Sequence, residues 1–361
     1  MATLTGHRRG IAPLLGSAFA ALAALSAPSG SSAAAPPPPR LECRENRAVD
    51  EAGFVPIGGI DQWVTIRGTG CAKPIILFLH GGPGNPLSPY AERIYAGWEK
   101  HFILVQWDQR GAGRTFGRNP PPADLTIERM MQDGIALTRY LRRRLGQKKV
   151  ILVGGSWGSV LGVRMALARP RLFHAYLGAG QLVSYTENLT SSYELLLERA
   201  RSAGDEATVA RIEALGPPPW TDPRNAGILR RATRVYERRT TVPAPAGWWT
   251  PAPAYAGAAA ESEREAGDDF SYLQFVGAAG NGMASTIDLP RLGLRFETPV
   301  FLVQGVEDLV TVPEVARRYF DSLTAPEKEF RLLPATGHDP NAAMVAAQYD
   351  ILTTRILPLV R

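Results

Sequence analysis

The 361-residue sequence has few cysteines, few histidines and no strong excess of either charge. It holds two Cys and five His, and 40 Lys plus Arg stand against 34 Asp plus Glu, a formal net charge of +6. Two cysteines cannot build a disulfide-dense scaffold, and no H-E-x-x-H pairing or comparable spacing marks a metal site. The G-x-G-x-x-G and P-loop fingerprints are also missing, so no metal, nucleotide or other cofactor is expected. Basic residues are dispersed. Their densest group, Arg142, Arg143 and Arg144 with Lys148 and Lys149, closes a helical pattern where cations favour the helix C-terminus, and it has no interleaved aromatics. Nucleic acid is therefore excluded as a partner. With 45% hydrophobic residues, 36 Gly and 30 Pro, the chain is neither disordered nor collagenous, and it is long enough for a large core.

The N-terminus reads as a processing signal. His7, Arg8 and Arg9 precede an apolar stretch over 11–25, followed by small residues through Ala35 and four prolines. A basic segment, a short apolar segment and a small-residue joint make a secretory signal peptide, here residues 1–35. The apolar stretch is shorter than the roughly 20 residues that span a bilayer, so no stable membrane span is expected. The mature protein is expected in the periplasm or outside the cell. Cys43 and Cys71 are an even pair that an oxidising compartment could join, or two unpaired core residues.

Beyond the signal, short β-branched runs alternate with helical patterns. Strands are predicted over 63–66, 75–79, 103–107, 150–153, 175–178, 300–303 and 330–333, and helices over 127–145, 157–168, 314–323 and 342–357. Near-continuous apolar strands separated by helices predict a doubly wound, mostly parallel α/β sheet. The alternation lapses over 181–290, where helical patterns over 193–203 and 207–215 lead into a Pro-rich, aromatic section around Trp248 and Trp249. The expected organisation is a core over 36–180, a helical cap over 181–290, and the rest of the core over 291–361. No internal repeat is found.

The strand over 150–153 runs into Gly154-Gly155-Ser156-Trp157-Gly158, a G-x-S-x-G turn followed by a helix. Glycines allow the sharp turn that lifts a serine hydroxyl clear of the sheet, which makes Ser156 the candidate nucleophile. A serine hydroxyl needs a base, and the base needs an orienting acid. Of the five histidines, His338 alone follows a late strand and precedes the last helix, so it is the candidate base. The loop after 300–303 offers Asp308, with Glu307 as the alternative. The order Ser156, Asp308, His338 suits a strand-and-loop hydrolase site. The backbone N–H of Trp157 and that of Gly82, in the loop His80-Gly81-Gly82-Pro83-Gly84, are candidate oxyanion donors.

These residues, together with Trp107-Asp108-Gln109-Arg110-Gly111-Ala112-Gly113-Arg114, resemble the α/β-hydrolase superfamily and, more narrowly, the proline iminopeptidase family. The likeness runs from about Ile57 to the C-terminus around the cap. It implies a serine peptidase that removes an N-terminal proline or another small residue, with Asp108 and Arg110 as scaffold beside the site. It also implies cap carboxylates for the substrate ammonium, for which Glu187 and Glu194 are candidates. Thr115 stands where the family usually has serine. The expected partner is a short peptide. A small ester turned over by the same triad is the alternative, as is a binding protein that keeps the fold without its chemistry.

Overall fold

The computed structural model describes residues 47–119, 121 and 125–360. The expected export segment and Cys43 lie outside the described residues, while Cys71 is fully buried and disulfide-bonded. Eight strands form one sheet: β1 Val49–Ile57, β2 Ile60–Gly68, β3 Ile75–Leu79, β4 Ile103–Trp107, β5 Val150–Gly155, β6 Phe173–Ala179, β7 Val300–Gly305 and β8 Lys328–Leu333. Their order is β1-β2-β4-β3-β5-β6-β7-β8. β1 and β2 are antiparallel to their neighbours, and every pairing from β4 to β8 is parallel. All five residues of β3 and of β4 are buried, as strands covered on both faces by helices must be.

The helices are α1 Ala91–Ile94, α2 Gly113–Arg118, α3 Ile127–Leu145, α4 Trp157–Ala168, α5 Tyr185–Ser202, α6 Glu206–Glu213, α7 Pro223–Glu237, α8 Ala258–Val276, α9 Pro313–Ser322 and α10 Ala342–Ile351. Helices α5 to α8 all fall between β6 and β7. One apolar core centred on Trp107, Trp157 and Tyr176 reaches from the sheet into α8 through Phe275 and Val276, so the insert shares the core of the sheet. Its own smaller core joins Leu196, Ile212, Leu229 and Tyr236 of α5, α6 and α7. No helix among the described residues is long and apolar enough to cross a membrane.

Several elements differ from the sequence expectation. β1 is a nine-residue alternating edge strand whose Pro56 is tolerated because its outer side has no partner strand. α5 begins at Tyr185, where the Ser184 hydroxyl caps the Glu187 N–H, well before the expected start at 193. α7 and α8 were not expected at all. The last helix ends at Ile351 and continues as one π turn, where the Thr353 and Thr354 hydroxyls bond back to the carbonyls of Tyr349 and Asp350.

Candidate active site

The turn between β5 and α4 holds Ser156 at φ 52° and ψ −122°, a conformation rare for a residue with a side chain. Glycine is needed on both sides because the chain passes so close to itself. A Cβ on Gly154 would lie 2.5 Å from the Gly158 carbonyl oxygen, and one on Gly158 would lie 1.9 Å from that of Leu79. The Ser156 N–H donates to the Ala179 carbonyl at 2.9 Å, tying the turn to the end of β6. Ser156 Oγ then lies 3.0 Å from His338 Nε2, and His338 Nδ1 lies 3.0 Å from Asp308 Oδ2.

Asp308 follows β7 and is buried, and its carboxylate is satisfied before the imidazole is counted. Oδ1 accepts the N–H groups of Val310 and Thr311 at 2.8 and 2.7 Å, and Oδ2 accepts from Thr311 Oγ1 at 2.7 Å and Gln304 Nε2 at 2.9 Å. So many donors fix the carboxylate in place. A fixed anion on Nδ1 sets the neutral tautomer that leaves Nε2 free to accept the serine proton. Burial works against charging His338, but the charge and hydrogen bond of Asp308, with Glu237 and Asp339 nearby, outweigh it and raise the imidazole above its usual 6.5.

The remaining residues of the early loops brace this chain. His80 is buried and held neutral, pulled down to about 4 by desolvation, and its ring bridges the Gln109 N–H at 3.1 Å and the Gly81 carbonyl at 2.9 Å. The Gln109 side chain donates to the His80 carbonyl at 3.1 Å and accepts from Trp157 Nε1 at 3.0 Å. The loop carrying Gly82 and the helix carrying Trp157 are thus pinned to one residue. Asp108 receives the Ser88 hydroxyl and the Arg114 N–H, and burial lifts it to about 6. Arg110 makes a buried two-point pair with Asp133 at 2.8 and 3.2 Å. The Thr115 hydroxyl joins the Asp108 carbonyl to the Trp63 N–H, a task a serine hydroxyl could also perform.

Two cavities meet at Ser156, Gly82 and His338. The first, about 690 Å³ with its open mouth included, is mainly apolar, with Leu182, Tyr185, Leu229 and Phe275 in its wall and Trp157 beside Ser156. The second, about 930 Å³ on the same measure, runs past the Gly81 loop to Trp249, Asp339 and Met344. Arg230 lines both. Glu187 and Glu194 line neither, which corrects the expectation that they meet the substrate ammonium. α5 turns Asn188 and Ser192, one turn apart, toward the first cavity, leaving Glu194 exposed and Glu187 paired with Arg318 at 2.5 Å on the surface. Glu307, the alternative acid, instead accepts from Arg199 at 2.8 Å and Thr240 at 3.1 Å. Among the described residues no group of three or more His, Cys, Asp or Glu could hold a metal ion.

A residue that braces the site carried no sequence signal. Glu237, at the end of α7, is buried, and its carboxylate accepts the Leu309 N–H at 2.7 Å and the His338 N–H at 3.2 Å. It therefore links the insert to both loops that carry the acid and the base. Burial and the neighbouring Asp308 charge raise it to about 7. Asp222-Pro223, a cap followed by proline at the first helical position, could have located α7 but not this role.

Residues 74–342 match the family model described as the α/β hydrolase fold. A probable aminopeptidase of Bacillus subtilis (strain 168), YbaC, is 27% identical over 301 residues, 79% of this chain and 89% of that protein. A probable proline iminopeptidase of Streptomyces coelicolor is 39% identical over 99 residues, 27% of this chain and 29% of that protein. The crystal structure of a proline iminopeptidase from Mycobacterium smegmatis superposes with a TM-score of 0.60 at 19% identity, covering 86% of this chain and 99% of that one. With its sheet order, its serine turn and a family model spanning most of its length, the chain belongs to the α/β hydrolase fold family and is a hydrolase.

Proposed function

We propose that this hydrolase is an aminopeptidase that releases an N-terminal proline or another small residue from short peptides through an acyl-enzyme on Ser156. The reading rests on one observation above others: Ser156, His338 and Asp308 form a continuous hydrogen-bonded chain where two cavities meet. His338 Nε2 takes the hydroxyl proton as Ser156 Oγ bonds to the scissile carbonyl carbon. The Gly82 and Trp157 N–H groups face the developing oxyanion. Collapse of the tetrahedral adduct breaks the C–N bond while His338 returns the proton to the leaving amine. Water, deprotonated by the same imidazole, then releases the acyl group and restores Ser156. Asp339, paired with Arg234 at 2.8 Å, is the one carboxylate in the described lining of either cavity, and a substrate ammonium would be set against it.

The aminopeptidase name of the Bacillus relative, which aligns over most of both chains, supports the substrate class. Export is part of the same reading, supported by the signal-like pattern of residues 1–35 and a disulfide-bonded Cys71. N-terminal sequencing of protein from the periplasm or medium, expected to begin near residue 36, checks it.

A second reading, a carboxylic-ester hydrolase, draws on the absence of any carboxylate from the described lining of the first cavity. Proline naphthylamide and its N-acetylated form separate the two. The aminopeptidase reading expects cleavage of the free amine and loss of cleavage on acetylation. Equal turnover of both, or turnover of simple esters alone, contradicts it.

A further inference from the structure

Arg230 projects from the insert to the junction of the two cavities, and it is the only permanently charged side chain in the described lining of the first. It is half-buried and makes no ion pair or side-chain hydrogen bond among the described residues. A guanidinium stays charged at any physiological pH and presents a planar fork of donors, so partial burial without an acceptor is costly unless something supplies one. Its charged surroundings do not. Arg234 lies beside it and repels it, and Asp268 and Asp339 attract it only from beyond ion-pair distance. Tyr185 and Tyr272, the other titratable groups near it, are phenols that burial holds protonated.

We propose that Arg230 receives a carboxylate of the substrate, making the preferred substrates short peptides with a carboxylate close to the scissile bond. The fork geometry of a guanidinium matches a carboxylate at two points, a match that neither an amide nor an ester carbonyl offers. In a dipeptide the C-terminal carboxylate sits one residue beyond the scissile bond, within the space that opens at Ser156. An acidic side chain on the first residue would present the same group from the other side of that bond. The apolar wall of the first cavity, Leu182, Leu229 and Phe275, suits the uncharged remainder. The substrate class rests on the aminopeptidase reading, whereas the anion site rests on Arg230 alone.

The test measures how well small peptides protect Ser156 of the full chain from a fluorophosphonate probe, with hydrolysis followed in parallel. Pro-Gly is compared with Pro-Gly amide, and Glu-Gly amide with Gln-Gly amide. The proposal expects at least one carboxylate-bearing member to protect at roughly tenfold lower concentration than its neutral partner, about the worth of one charge-assisted contact. The pair that shows the difference identifies the source of the carboxylate. Arg230→Met should erase the difference, and Arg230→Lys, which keeps the charge but loses the fork, should retain part of it. Equal protection within both pairs in the wild-type protein overturns the proposal whether or not the variants fold, as does a preference that survives Arg230→Met. If proline naphthylamide is not cleaved yet the Arg230-dependent difference persists, the aminopeptidase reading fails and the anion site stands.

Discussion

Ser156 holds a backbone conformation that costs about 1–3 kcal/mol for a residue with a side chain, and its turn is kept by the Ala179 hydrogen bond and by close passage of Gly154 and Gly158. The neighbouring imidazole is surrounded by more negative charge than one aspartate supplies, because Glu237 approaches from the insert. Glu237 ionises only near pH 7, so replacing it with Gln removes its charge from the upper part of the imidazole's titration and lowers the His338 pKa there. The acidic limb of kcat/KM against pH should therefore move to lower pH, with modest loss of rate at its plateau. Glu237 acts here as a positioning residue. An unmoved limb would mean that it only braces the loops. Ser156, Asp308 and His338 each follow a strand at a recognisable local turn, so they were legible one at a time. Glu237 and Arg230 were not, because their importance comes from where α7 lies and no local pattern records that.

At the level of elements, the tightest constraint lies between β3 and α4. A methyl on Gly158 meets the Leu79 backbone at 1.9 Å, whereas one on Gly155 meets nothing closer than 3.9 Å. Gly158→Ala should cost about 3 kcal/mol or more in stability, and Gly155→Ala well under 1. Urea unfolding of the two variants checks this, and equal stability would show that α4 can slide off β3 without penalty. The same burial explains what could be read in advance. β3 to β7 are buried strands with near-continuous apolar runs, and α3 runs from the Thr126 cap to Gly146 as predicted. β1 mixes Asp50, Glu51, Gly53 and Pro56 into an edge strand, and α7 carries four arginines among its fifteen residues, so neither shows a continuous apolar run. α8 is held by tertiary contact: a Cβ on Gly267 would lie 3.2 Å from the Gly111 carbonyl oxygen, and the Ser271 hydroxyl donates to that oxygen at 2.7 Å.

For the molecule as a whole, buried titrating groups pull stability in opposite directions. His80 and His174 are lowered from 6.5 to about 4, so their stabilisation is present above 6.5 and is lost as pH falls toward 4. Asp108 and Glu237, raised from 3.8 to about 6 and from 4.5 to about 7, stabilise below their ordinary values and lose that contribution as pH rises through the raised ones. The two sets oppose one another up to about pH 6. Above 6.5, Glu237 and His338 still hold protons that the unfolded chain has lost, so the melting temperature should fall between pH 6.5 and 8, and fall less in Glu237→Gln. A melting temperature that rises over this window would contradict these assignments.

The central claim is that Ser156 is an activated nucleophile at the meeting point of the two cavities. The direct measurement is fluorophosphonate labelling of the folded full-length protein, with the adduct located by peptide mass spectrometry. The account predicts one adduct, on Ser156, that is absent after denaturation and absent from Ser156→Ala, whose thermal unfolding stays close to wild type. No adduct on the folded protein, or an adduct on another residue that persists in Ser156→Ala, would contradict it.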